Sequence, residues 1–150
     1  MSETVFHRIV VPTDFSTCSE LAWRMARRLA AAAGGELILA HVLVETPLFA
    51  EGSVGTGQVR DVYAAAEQWA QQTIERWAGT ARAEGLTVRV ALRTGVPQEE
   101  IVALAIDERA DLVVLGTHGR GGLSRALLGS VADRVIRIAP CPVLSVRESA

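Results

Sequence analysis

The sequence predicts an α/β fold: a five-stranded parallel sheet in the order 3-2-1-4-5 with helices on both faces. Three observations lead there. Short β-branched runs alternate with helical-period segments along the whole chain, in the pattern β-α-β-α-β-α-β-α-β, which calls for right-handed crossovers. The run Glu36 to Val44 (ELILAHVLV) is apolar enough to be covered on both sides, as strands of a parallel sheet are. No internal repeat at a period of roughly 20–50 residues competes with this reading. The 150 residues, 49% of them hydrophobic, suit a single domain over 1–150 that buries about two thirds of the surface of its unfolded chain.

The elements follow in order. Phe6 to Val11 is a buried strand stopped by Pro12. Thr13-Asp14-Phe15-Ser16 is rich in capping residues, with Ser16 a good N-cap. Leu21, Met25 and Leu29, with Ala22 and Ala26 beside them, mark a helix that Gly34-Gly35 ends. After the second strand, Glu36 to Val44, the glycines and Pro47 between Thr46 and Gln58 predict a mobile surface loop. Arg60 to Glu84 is a long helix closed by Gly85, and Leu86 to Leu92 is a strand with apolar alternation. Gly95-Val96-Pro97 turns into a helix from about Gln98 to Arg109, with proline at its start and Glu99 and Glu100 in its first turn. Asp111 to Leu115 is the fourth strand, Gly116 to Leu128 a glycine-rich loop, Ser130 to Ile138 a helix with Val131, Val135 and Ile138 on one side, and Pro142 to Val146 the last strand.

Composition narrows the chemistry. The net charge is −2 and the pI about 5.9, which gives no basic surface for nucleic acid or acidic membranes. All 15 positive residues are arginine, so a Walker-type lysine, a Schiff base and a lysine nucleophile are excluded. Cys18 and Cys141 lack any metal-ligand spacing and read as packed or free thiols. Neither a leader pattern nor a membrane-length apolar run is present, and the expected location is cytoplasmic.

Open parallel sheets bind ligands beyond the carboxyl ends of their strands, where the winding reverses. In the expected order, strands one and four are neighbours at that point. The loops Pro12-Thr13-Asp14 and Gly116 to Gly122 then face each other across one crevice. Glycines let the backbone approach an anion, and the helix beginning near Gly129-Ser130 adds unpaired N–H donors and a positive dipole end. This is a phosphate cradle without lysine. Arg120 and Arg125 are candidates for charge-assisted contacts, with solvated loop charges as the plainer reading, and Asp14 suits a ribose hydroxyl or a metal on the phosphates.

Gly116-x-x-Gly119, nine residues, then Gly129-Ser130 resembles the G-x2-G-x9-G-[ST] nucleotide signature of the universal stress protein family. RIVVPTDFS near the start and LVVLGTHGRGGLSRALLGSVADRVIRIAPCPVLSV near the end look like the same family, so the resemblance spans essentially the whole chain. It implies a Rossmann-like fold of the adenine-nucleotide hydrolase-like type, a role in stress survival, and homodimers paired through the last strand (Val143, Leu144, Ser145, Val146). It further implies the ATP-binding branch, because every motif glycine and Ser130 are kept. Carried over by residue, Pro12, Thr13 and Asp14 lie near adenine and ribose, and Val42 lines the base. Leu115, Gly116, His118, Gly119 and Arg120 form the first half of the phosphate loop; Gly129, Ser130, Val131 and Ala132 form the second.

Plainer readings stand beside these. Asp14 also suits a cap before a helix, and Ser130 with Asp133 resembles a capping box. His118 reads as a brace for its loop, His7 and His41 as structural, and Trp23, Trp69 and Trp77 as core or interface. The leading function is an adenine-nucleotide-binding regulatory or sensor homodimer that takes ATP with Mg2+ or Mn2+. The alternative is a slow ATP hydrolase or adenylyl-transfer enzyme. A phospho-receiver is disfavoured by the missing lysine, and a dimerisation module through the apolar last strand is compatible with nucleotide binding.

Overall fold

The structure is a computed structural model that describes residues 5–44, 56–119 and 127–149. Its elements are β1 (Arg8–Pro12), α1 (Thr17–Ala33), β2 (Glu36–Val44), α2 (Thr56–Ala83), β3 (Thr87–Gly95), α3 (Pro97–Asp107), β4 (Leu112–Gly116), α4 (Ser130–Ile138) and β5 (Val143–Val146). The five strands are parallel in the order β3-β2-β1-β4-β5. This is the predicted topology, with β1 and β4 side by side where the winding reverses.

Alternate residues of each strand serve opposite faces. Ile9, Val11, Leu37, Leu39, Leu112 and Val114 pack with α1 and α2; Val10, Ile38, Ala40, Val113 and Leu115 pack with α3 and α4. The buried stripe of α1 is Ala22, Trp23, Ala26 and Ala30, with Leu21, Met25 and Leu29 only half-buried at its side. The contact face is therefore rotated from the leucine and methionine stripe of the sequence, since the small alanines let the helix axis approach the sheet closely. Ser16 caps α1 by accepting from the Ser19 amide at 3.3 Å, and Gly34 closes it at φ 72°.

Other boundaries shift for identifiable reasons. β3 runs on to Gly95 because β2 continues to Val44 and pairs with it residue by residue. β1 begins at Arg8, opposite Glu36, where its partner strand begins. The predicted loop from Thr46 to Gln58 lies outside the described residues up to 55, and from Thr56 the chain is already helical, earlier than the expected Arg60. The apolar pattern of α2 starts only at Val59, so its first turn carried no periodic signal.

Salt links tie the β3 edge of the sheet to α3. Arg89 of β3 donates to Glu36 of β2 at 3.0 Å and to Glu108, just past α3, at 2.7 Å. The Arg89 hydrogen bond holds the Glu108 carboxyl below its usual range, against the opposing effect of burial. A lowered folded pKa stabilises above the unfolded value of about 4.3 and loses that contribution as pH falls through the folded value. Glu108→Gln is therefore expected to be less stable than the parent at pH 7 by under about 1 kcal/mol, because the pair is solvent-screened. In urea unfolding at pH 7 and pH 3 the difference should shrink on acidification; an equal difference at both would contradict the assignment.

Candidate functional site

At the carboxyl end of β1 the chain turns back on itself. The Thr13 amide extends the ladder to the Ala40 carbonyl at 2.8 Å. The buried Thr13 hydroxyl bonds the Ser19 hydroxyl at 2.9 Å and accepts from the Phe15 amide at 2.9 Å, while Asp14 Oδ1 accepts from the Ser16 amide at 3.0 Å. These short-range bonds accompany the positive φ of 64° at Phe15. Asp14 thus does cap the turn with one carboxylate oxygen. The other, Oδ2, faces Gly119 so closely that a Cβ there would lie 2.6 Å from it.

The facing loop begins at β4. A Cβ on Gly116 would sit 2.9 Å from the Cys18 carbonyl carbon, so only glycine lets β4 pass this close to α1. Next comes Thr117, which is buried: its amide donates to the Val146 carbonyl at 2.9 Å, its carbonyl accepts from the Gly129 amide at 2.7 Å, and its hydroxyl meets Cys18 Sγ at 3.8 Å and His118 Nδ1 at 2.9 Å. The last contact is the brace expected of His118. Gly129 has φ −61°, and its Cβ would meet the Thr117 carbonyl oxygen at 2.8 Å. Gly116 and Gly129 are therefore required here for close approach to backbone, and Gly119 faces the end of the Asp14 side chain; none of the three takes the left-handed conformation that glycine also permits, and the positive-φ glycines among the described residues are Gly34, Gly85 and Gly95.

The start of α4 differs from the capping box predicted for Ser130 and Asp133. Gly129 is the N-cap and supplies no side-chain cap, and Ser130 is the first residue of the helix. Asp133 turns instead to Arg137 at 3.2 Å. Because Gly129 takes the N-cap position without a side-chain oxygen, the amides of Ser130, Val131 and Ala132 form a first turn whose N–H groups have no intrahelical acceptor. The positive end of the helix dipole adds to them.

The two loops and this helix start enclose one cleft of about 540 Å³, a volume usual for a small-molecule site. Asp14 and Ser130 both line it. So do Pro12, Thr13 and Val42 on one side, and Leu115, Gly116, His118, Gly119, Gly129, Val131 and Ala132 on the other. Arg120 and Arg125 lie outside the described residues. The lining also holds residues that sequence reasoning missed. Thr117 is one. His41 is another: its Nδ1 meets the Thr13 carbonyl at 2.7 Å and so carries a proton, a structural bond as expected, yet its ring borders the cleft. Trp69 of α2 and Pro97 and Ile101 of α3 also reach it. In a β-α-β unit each helix starts near the carboxyl ends of the strands, which is the signal that would have found the α3 pair. Among the described residues, no cluster of three or more His, Cys, Asp or Glu side chains is placed to hold a metal, and no helix is long and apolar enough to cross a membrane.

The geometry tests the glycines directly. Gly116→Ala forces backbone apart and is expected to cost about 1–3 kcal/mol. At Gly119→Ala the clash is with the end of the Asp14 side chain, which moves aside at a cost within about 0.5 kcal/mol. Denaturant unfolding of both variants checks the contrast, and equal losses would refute it.

Comparison with known proteins gives a consistent picture. A family model described as the universal stress protein family matches residues 6–147. The universal stress protein MJ0531 of Methanocaldococcus jannaschii is 34% identical over 146 residues, covering 97% of this chain and 85% of the relative. The solved structure of MJ0577 superposes with a TM-score of 0.84 at 30% identity, covering 97% of this chain and 99% of the other. A universal stress protein in complex with cAMP (TM-score 0.65, 30% identity, 94% and 96% covered) and one from Archaeoglobus fulgidus in complex with dAMP (TM-score 0.65, 25% identity, 95% and 98% covered) share the fold.

Proposed function

The chain belongs to the universal stress protein family, and we propose that it binds ATP, with Mg2+ or Mn2+ on the phosphates, as a regulatory or sensor homodimer of the stress response. One observation carries this reading: the uncapped start of α4 and the Asp14 carboxylate border the same cleft. An anion is favoured at free helix-start amides, and a carboxylate opposite suits a hydroxyl or a cation. Relatives that hold cAMP and dAMP support the adenine nucleotide class.

In this reading Pro12, Thr13, Val42 and Leu115 contact the base and ribose, and Asp14 the ribose hydroxyls or the phosphate-bound metal. Gly116, His118, Gly119 and Arg120 bound one side of the phosphates, and Gly129, Ser130, Val131 and Ala132 the other. The metal offsets phosphate charge. The unit is one domain over 1–150, and its location the cytoplasm, where adenine nucleotides are made and consumed.

The binding reading is checked by isothermal calorimetry with ATP. The parent should bind, and Gly116→Asp and Gly129→Asp should lose binding by more than about tenfold, since each puts a negative charge beside the phosphates. Unchanged affinity in both variants would remove the site assignment.

Dimerisation is assigned to β5. It is an edge strand, and Leu144 on it is 37% exposed, as are Ile136 and Ile138 of α4 at 43% and 39%. Unpaired edges and apolar surface favour association with a second copy. Light scattering should give a dimer at micromolar concentration, shifted toward monomer by Val143→Asp with Leu144→Asp. A monomeric parent would refute this assignment.

A further inference from the structure

Building on the nucleotide reading, we propose that Trp69 is a ligand-contacting residue of the cleft, its indole forming an aromatic wall against which the purine base lies. The N-terminal half of α2 contributes Ala66, Trp69 and Ala70 to the lining. The two alanines offer only methyl groups, so the indole is the large surface that this helix presents there.

The ring is held in place. Phe15 meets it edge-on, with centroids 5.2 Å apart and planes at 85°. Phe15 also packs against His41 at 4.7 Å. The neighbouring Trp77 is an internal control. It too meets Phe15 edge-on, at 5.5 Å, but it packs against the buried cluster of α1, α2 and the sheet and is absent from the cleft lining. Trp69 lines the cleft and is 49% exposed. An aromatic ring that lines a recess and packs edge-on against Phe15 is suited to a flat aromatic partner.

Position along the cleft agrees. Through Phe15 and His41, Trp69 belongs to the β2 side. The helix-start amides of α4 and the Gly116 to Gly119 turn form the opposite, β4 side. An aromatic wall at one end and an anion seat at the other match a base and its phosphates. Stacking tolerates any base, so Trp69 adds affinity rather than a choice among bases.

The test compares the parent with Trp69→Ala and Trp69→Phe, by calorimetry with ATP and by tryptophan emission during the same titration, with thermal melts alongside. Trp69→Ala should weaken ATP binding by roughly tenfold or more, and Trp69→Phe should restore it to within about threefold of the parent. The parent's emission should change on ATP addition, and Trp69→Phe, which keeps Trp23 and Trp77, should lose that change. If Trp69→Ala binds ATP as the parent does, or Trp69→Phe binds no better than Trp69→Ala, or the emission change survives in Trp69→Phe, the wall is refuted while the nucleotide site stands. A parent that binds no ATP overturns both.

Discussion

The cleft depends on the peptide groups of Thr117. Its amide fastens the end of β4 to Val146 of β5, and its carbonyl accepts from the Gly129 amide at the head of α4. Two elements that meet the loop from different directions are thereby held by one residue, buried where water does not compete for either bond. The closeness of Gly129 to that carbonyl is what leaves the helix without a side-chain cap. An N-cap serine or aspartate would carry a Cβ into the Thr117 oxygen, so the packing that joins loop to helix also denies the first-turn amides a cap from the N-cap residue. Structural clasp and proposed anion seat are two results of one contact.

The opposite lip is built differently. Around Thr13 and Asp14 the bonds are local, side chain to nearby backbone, and they turn the chain sharply between β1 and α1. The lip is anchored to the sheet through the Thr13 amide on Ala40 and through His41 on the Thr13 carbonyl, both on β2. Each side of the cleft is thus braced by the outer neighbour of its own strand: β2 supports the β1 loop, and β5 supports the β4 loop.

Much of this was legible in the sequence because the relevant signals are local or periodic. The strand order follows from the alternation of elements and the handedness of crossovers, and it places the loops after β1 and β4 together. The glycines at 116, 119 and 129 pointed to the loop, though the structural reason is contact with Cys18, Asp14 and Thr117 rather than unusual dihedrals. Such contacts join residues distant in the chain, and spacing does not reveal them. The same holds for Ser130: its sequence neighbourhood suggests a cap, but the tertiary bond from Gly129 to Thr117 moves the cap back by one residue. Trp69 and His41 were read as packing residues because helical or strand period says which face a side chain occupies, not whether the end of that face opens onto a cleft.

The first turn of α4 offers peptide N–H groups where many anion sites place an ammonium, and the chain contains no lysine. Peptide amides do not titrate near neutral pH, and they are not substrates for acylating enzymes. The acetylation by which cells mute lysine-dependent phosphate sites therefore has no side-chain amine to modify in this protein, and any control over that helix start must come through its geometry or its occupant.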